Sequence, residues 1–282
     1  MTDTGNIEKS LSRNDVHNEQ CLHAHKRFGA AASTYDQYSE VQEKVADTVA
    51  SMCRRFQPRH ILEAGCGTGL LTRRILRDFE SAAVTAVDAS PSMVEQSRKR
   101  LNASSSRVSW QVTDLAGMNL PCRYDLACSS SVLHWVQPWT KAFRSISRAL
   151  LPEGVLVAGI MLQGTLHELS VARQCAAPEK PNAVHLPSYD DIQHACSSAG
   201  LKLDETDTQR IVARYTSVRE FLAALHKQGV TGTTNPARRP LNRTELNRLV
   251  LEYDQRFRQS DGYLPATFQV LFLQATKRFH HA

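Results

Sequence analysis

Three glycines in five residues, Gly65, Gly67 and Gly69, stand between two short apolar runs, and an aspartate, Asp88, closes the second run. Glycine takes left-handed backbone angles without a steric penalty and lets the main chain approach a ligand closely. A carboxylate at the tip of the second run can accept two hydrogen bonds from a ribose diol. The flanking segments supply what such a loop needs. His60-Ile61-Leu62 leads in, a helical pattern runs from Leu70 to Phe79, and Ala83-Val84-Thr85-Ala86-Val87 leads to Asp88. Strand, glycine loop, helix, strand and acid form one βαβ unit that holds a nucleoside. A dinucleotide fingerprint spaces its glycines G-x-G-x-x-G, whereas here the third glycine comes one residue early. Glu63, just ahead of the loop, makes a phosphate at the helix N-terminus less welcome and suits a positively charged ligand.

The stretch Glu63-Ala64-Gly65-Cys66-Gly67-Thr68-Gly69 resembles motif I of the class I S-adenosylmethionine (SAM) methyltransferases. The resemblance implies SAM as cofactor, with Glu63 near its amino-acid end, the loop Gly65, Cys66, Gly67 and Gly69 around it, and Asp88 with Ala89 at the ribose. It also implies an α/β fold of the Rossmann-like kind, a seven-stranded sheet flanked by helices with a reversed last strand and helical lid insertions. In open parallel sheets ligands sit beyond the carboxyl ends of the strands. Asp114 ends the third strand, where it can accept from an adenine amino group, and the Leu115 amide can donate to the ring. Met93 packs either on the adenine or in the core. Ser129 and Ser130 close the fourth strand, either beside the methionine moiety or as loop caps.

Periodicity gives the remaining elements. Val41, Val45, Val49, Met52 and Cys53 mark a helix over Glu40–Phe56. Ser90-Pro91 opens a helix to about Leu101, with Ser90 as N-cap. Strands are expected at Val108–Val112, Tyr124–Ser130, Val155–Leu162, Leu201–Tyr215 and Ala266–Lys277. Helices are expected at Trp139–Leu151, Ser188–Ala199, Thr216–Gln228 and Leu241–Arg258. The 282 residues read as one α/β domain over 27–282, with insertions near 163–187 and 216–262, behind a disordered tail, 1–26.

No apolar run is long enough for a membrane span, and Met1 to Lys26 lacks the apolar core of a secretory signal. Seven scattered cysteines without a C-x-x-C pair point away from zinc and disulfides, and no metal site is expected. Free thiols fit a reducing cytoplasm. The net charge of +6 is carried in clusters at Arg54-Arg55, Arg73-Arg74-Arg77, Arg98-Lys99-Arg100, Arg238-Arg239 and Arg243/Arg248. Such a face suits an acidic protein or is plain solvated surface. No basic stretch is interleaved with aromatics, so nucleic acid is not expected.

Five further stretches run in order: Arg27–Asp36 (RFGAAASTYD), Ser131–Trp135 (SVLHW), Gln163–Leu169 (QGTLHEL), Leu225–Thr233 (LHKQGVTGT) and Tyr263–Phe268 (YLPATF). Together they resemble the malonyl-acyl-carrier-protein O-methyltransferases of biotin synthesis, over nearly the whole chain from Phe28 to Lys277. That resemblance implies methylation of the free carboxylate of a malonyl thioester, with an acidic carrier protein bearing malonyl-phosphopantetheine as partner. Nothing in the sequence calls for more than a monomer. The family more often has Lys or Arg where His226 stands, and Gln where His134 stands. A carboxylate is already ionised at pH 7 and needs no general base to attack a sulfonium methyl. Catalysis is then in-line positioning at about 3 Å in a site that excludes water. Tyr35, His134, Trp135, Gln163, His226 and Lys227 are the candidates to grip the acceptor, and Arg238, Arg239, Arg243 and Arg248 to guide the carrier. A carboxyl methyltransferase for a free small acid and a non-catalytic SAM-fold binding protein remain the alternatives.

Overall fold

The computed structural model describes residues 26–101, 106–180, 185–230 and 240–278. The tail before residue 26, Arg238 and Arg239 lie outside the described residues.

Seven strands form one sheet in the order β3-β2-β1-β4-β5-β7-β6. They are β1 His60–Ala64, β2 Ala83–Asp88, β3 Val108–Val112, β4 Tyr124–Ser130, β5 Leu150–Met161, β6 Leu201–Tyr215 and β7 Leu264–Lys277. The first five run parallel, and β7 is inserted antiparallel between β5 and β6. Order reverses between β1 and β4, and a crevice opens there beyond the strand ends, where ligands bind in such sheets.

The helices are α1 Glu40–Cys53, α2 Leu70–Asp78, α3 Pro91–Arg100, α4 Trp139–Ala149, α5 His167–Ala176, α6 Tyr189–Ser198, α7 Val218–Lys227 and α8 Arg243–Phe257. They cover both faces of the sheet, which is why the central strands are apolar throughout rather than alternating. Ile61, Val84, Leu126 and Val157 pack toward α1 and α2, whereas Leu62, Val87, Ala127 and Leu156 pack with Phe143 and Ile146 of α4. Local chemistry starts several helices. The Ser90 hydroxyl accepts the Met93 N–H ahead of Pro91, and capping boxes open α6 (Ser188, Asp191) and α8 (Asn242, Glu245).

The turn signal Pro152-Glu153-Gly154 does not separate helix from strand. The fourth helix stops at Ala149, and Leu150 already pairs with Tyr124. Glu153 takes a φ of +63° and the register shifts between Tyr124 and Leu126, so the ladder absorbs the turn as an irregularity. Several arginines of the basic clusters are paired within the chain. Arg54 pairs with Asp78, Arg55 with Glu205, Arg74 with Glu43 and Asp47, and Arg100 with Asp36.

The segment 26–39 crosses the sheet's carboxyl end as a strap. Asp36 accepts from the Thr68 hydroxyl of the glycine loop at 2.6 Å and pairs with Arg100 of α3. On its other side the Thr34 hydroxyl donates to the Lys227 carbonyl, and Gln228 donates to the Tyr38 carbonyl. One segment thereby touches both the nucleoside loop and the helical insertion. No helix among the described residues is long and apolar enough to cross a membrane.

Candidate active site

The glycine loop is pinned at both ends. The amides of Gly65 and Cys66 donate to the Val87 carbonyl at 2.8 and 2.9 Å, and Gly69 sits at a φ of +90° as the cap of α2. A Cβ on Gly65 would stand 2.4 Å from the Val132 side chain, whereas one on Gly67 would meet nothing within 4 Å. Gly65 is therefore required by packing, and Gly67 leaves open space that belongs to a ligand. Gly69 serves close packing, its missing side chain admitting Ser97 of α3. Cys66 turns its thiol into the core against Ala86 and Val94, so only its backbone contributes to the loop.

Asp88 does more than await a sugar. Its Oδ2 accepts the Gly67 N–H and its Oδ1 the Ser90 N–H, each at 2.9 Å. A carboxylate oxygen can accept more than one hydrogen bond, so bracing the loop is compatible with taking a diol. Gly65, Gly67, Asp88 and Ala89 line a cavity of about 80 Å³ at this crevice. Met93, Asp114 and Leu115 line it as well, with Asp114 Oδ1 accepting the Ala116 N–H. Ser129 and Ser130 are not among its lining residues. The Ser129 hydroxyl instead donates to the Ala64 carbonyl at 2.7 Å, inside the sheet. The next residue, Ser131, lines the cavity, held at a φ of +59° where the strand ends.

The charge around this cavity selects its ligand. Asp88 and Asp114 are on its wall, and no Lys, Arg or His is among its described lining residues. Glu63 lies fully buried on β1, and neither of its oxygens has a close hydrogen-bond partner among the described residues. Burial pushes its carboxyl up to about 8, the charge of Asp88 adds to the rise, and nearby Thr72 offsets part of it. A phosphate-bearing nucleotide finds only repulsion here. A nucleoside carrying a sulfonium and an ammonium group answers this acidic wall, so SAM fits the residues present.

Cofactor binding is thereby linked to proton release. Glu63, with its carboxyl near 8, is mostly protonated at pH 7, and a cationic ligand favours its ionised form. SAM binding is expected to release close to one proton at pH 7, read by calorimetry in buffers of different ionisation enthalpy. Glu63→Gln removes that release, and an identical release from the variant refutes the assignment. In the ligand-free protein the raised carboxyl stabilises the fold below its ordinary value, and that contribution is lost as pH rises through about 8.

A second cavity, of about 460 Å³, adjoins the first, and the two share Phe28, Tyr35, Ser131 and Trp135. Phe28 meets Trp135 edge-on at 5.4 Å, an aromatic wall donated by the strap. Tyr35 is held protonated by burial and by the charges of Asp36 and Asp88. His134 is buried, and burial lowers its imidazolium to about 3. Its Nδ1 accepts the Met161 N–H at 3.4 Å, which leaves the single proton of the neutral ring on Nε2. His226 also lines this cavity. Two expected acceptor residues do not. Gln163 is exposed, its amide donating to the Pro187 carbonyl, and the neighbouring Thr165 and Leu166 face the cavity instead. Lys227 turns outward, donating to the Tyr38 hydroxyl at 2.7 Å, and so anchors the strap.

A methyltransferase-domain family matches residues 61–154, from β1 into β5. A malonyl-[acyl-carrier protein] O-methyltransferase of Bacillus anthracis is 31% identical over 263 residues, covering 89% of this chain and 96% of that protein. The chain belongs to this family. The Geobacter sulfurreducens malonyl-[acyl-carrier protein] O-methyltransferase is 28% identical, covering 87% and 94% of the two chains. A solved protein of Bacillus halodurans assigned as a methyltransferase overlays with a TM-score of 0.61 at 12% identity, covering 83% of this chain and 99% of its own. At that identity the likeness speaks for the fold alone.

As a malonyl-[acyl-carrier protein] O-methyltransferase family member, the chain is an enzyme, and SAM is its methyl donor. Ser131 and Gln42 are among the polar residues at the acceptor cavity that escaped the sequence reading. Ser131 lies one place beyond the serines that were singled out. Gln42 of α1 lies among Val41, Val45, Ala46 and Val49, a polar residue on a buried stripe, which was the signal available for it.

Proposed function

We propose that this enzyme transfers the SAM methyl group to the free carboxylate of a malonyl thioester carried by an acyl-carrier protein. The observation that carries the reading is the meeting of two unlike cavities at one aromatic wall. The smaller is lined by acids and no cations. The larger has no Asp or Glu among its described lining residues and includes Arg173 and His226. A cationic donor and an anionic acceptor are thus sorted to opposite sides of Phe28, Tyr35, Ser131 and Trp135.

When bound, SAM supplies a methyl group made electrophilic by its sulfonium. The chain's residues orient the acceptor. His134, through Nε2–H, and the Tyr35 hydroxyl are neutral donors, which hold a carboxylate without the strong pairing a guanidinium at the transfer point would impose. With the acceptor held by Tyr35 and His134, bound SAM would pass its methyl to the carboxylate oxygen, the carbon–sulfur bond breaking and its electron pair staying on sulfur. No proton moves, so no general base is required. Phe28 and Trp135 exclude water from the line of attack. The resulting ester lacks a charge, which supports a role as an apolar primer for chain extension toward biotin, in the cytoplasm. Arg243 and Arg248 of α8, which form no ion pair among the described residues, are the groups we assign to carrier docking.

Mass spectrometry tests the reading. Malonyl-carrier protein incubated with SAM and the enzyme is expected to gain one methyl group, and acetyl-carrier protein none. Charge reversal at Arg243 and Arg248 is expected to slow that reaction at low salt. Faster methylation of free di- or tricarboxylic acids than of the malonyl thioester overturns it.

A further inference from the structure

Gln42 is 8% exposed, lines the acceptor cavity, and its Oε1 has no hydrogen-bond partner among the described residues. A buried amide oxygen without a donor is costly, and native proteins satisfy such groups with protein, ordered water or ligand. This one stands at a cavity whose wall is otherwise dominated by hydrocarbon, including Leu166, Leu169, Leu225, Leu249 and Phe268.

The polar groups at this cavity divide by what they can offer. His134 has its Nδ1 taken by the Met161 amide, so its free edge is an N–H. Tyr35 and Ser131 carry hydroxyls that can donate to an anion, and the Ser131 hydroxyl has no partner among the described residues. These suit the malonyl carboxylate. The Thr165 hydroxyl is already engaged, donating to the Gln269 carbonyl and accepting the Gln269 N–H. Gln42 Oε1 is of the opposite kind. It cannot bind a carboxylate, and it calls for a ligand that brings an N–H.

We propose that Gln42 reads the thioester arm, its Oε1 accepting the amide N–H that lies two carbons beyond sulfur in a pantetheine-linked malonyl group. The assignment rests on the malonyl-thioester reading above and extends it to the arm. A secondary amide drawn into an apolar cavity must find an acceptor, or its desolvation opposes binding. Gln42 supplies that acceptor, and it gives the site a means of preferring a pantetheine thioester over free di- and tricarboxylic acids, which carry no N–H. The buried stripe of α1, Val41, Val45, Ala46 and Val49, fixes the side chain's position, so the contact is set by the core and not by a mobile loop.

The test compares two acceptors, malonyl-pantetheine and malonyl S-propyl thioester, which lacks the amide. The native enzyme is expected to favour the first by about tenfold in kcat/KM, chiefly through KM, the size of one buried hydrogen bond. In Gln42→Leu that ratio is expected to fall toward one. A ratio unchanged by the substitution overturns the proposal. Pantetheine itself, titrated by calorimetry in the presence of S-adenosylhomocysteine, gives a second measurement that needs no turnover. It is expected to bind Gln42→Leu about tenfold more weakly, and equal affinity for both proteins overturns the proposal even if neither thioester is methylated. That last failure counts separately against the malonyl reading. Gln42→Met, of similar volume, replaces the leucine variant if the latter does not fold, folding being checked by the melting temperature with S-adenosylhomocysteine bound.

Discussion

Asp88→Ala is expected to lower kcat/KM for methyl transfer by roughly 10²–10⁴-fold, since charge-assisted hydrogen bonds are worth about 1.5–3 kcal/mol and the ribose diol makes two. The carboxylate has two duties, so the loss shows in two measurements. Its oxygens accept the Gly67 and Ser90 amides at 2.9 Å, and without them both N–H groups lose their partner and the loop loses its brace. The melting temperature of the ligand-free protein should therefore fall together with the affinity for S-adenosylhomocysteine. Asp88→Asn keeps one acceptor oxygen and should lie between the two. An affinity within threefold of the native protein for the alanine variant would falsify the role given to Asp88.

The second large effect separates two glycines that look alike in sequence. Gly67→Ala adds a methyl to open space at a φ of +52°. The backbone penalty of a left-handed alanine is about 1–2 kcal/mol, so the fold should survive with a melting temperature lowered by only a few degrees. The methyl projects into the cofactor cavity, and overpacking of about 1–3 kcal/mol should weaken cofactor binding roughly 10–100-fold. Gly65→Ala behaves differently. Its Cβ would stand 2.4–2.7 Å from three atoms of Val132, at a φ of +83°. Strain and overpacking add to about 2–5 kcal/mol, so stability should fall first, and binding with it because Val132 lines the same cavity. Calorimetry and thermal melting on both variants decide the matter. Equal stability losses would refute the division between a packing glycine and a ligand-facing one.

The SpnF [4+2]-cyclase overlays on this chain with a TM-score of 0.55 at 19% identity, over 84% of this chain and 82% of its own. A fold shared with a cyclase cannot name a reaction. The argument for carboxylate methylation has to come from the residues at the junction of the two cavities, and those were unevenly legible. Tyr35, the pair His134-Trp135 and His226 come from three separate segments, yet each was visible in a local motif and each lines the acceptor cavity. Gln163 and Lys227 sit in equally suggestive motifs and face away. A motif gives the neighbourhood, and the direction of a side chain depends on how a turn packs. Leu166 is held by the Thr267 carbonyl and Lys227 by Tyr38, contacts between segments far apart in the chain.

The amino-acid sequence by itself determined the nucleoside loop, the acid that holds it, the alternation of strands and helices, and the charge sign of the cofactor. These are local facts: glycine spacing sets backbone angles, side-chain periodicity sets which face is buried, and Glu63 lies two residues from Gly65. Only the tertiary structure decided that Asp88 braces the loop, that Ser131 and not Ser129 or Ser130 lines the cavities, and that strap residues Phe28 and Tyr35 join both. Each of those depends on which segment arrives from a distance to share a wall. Period-two alternation tells which strand residues share a face, but not where a strand gives way to its loop, so a shift of one residue at Ser130–Ser131 moves a hydroxyl from the sheet to the site.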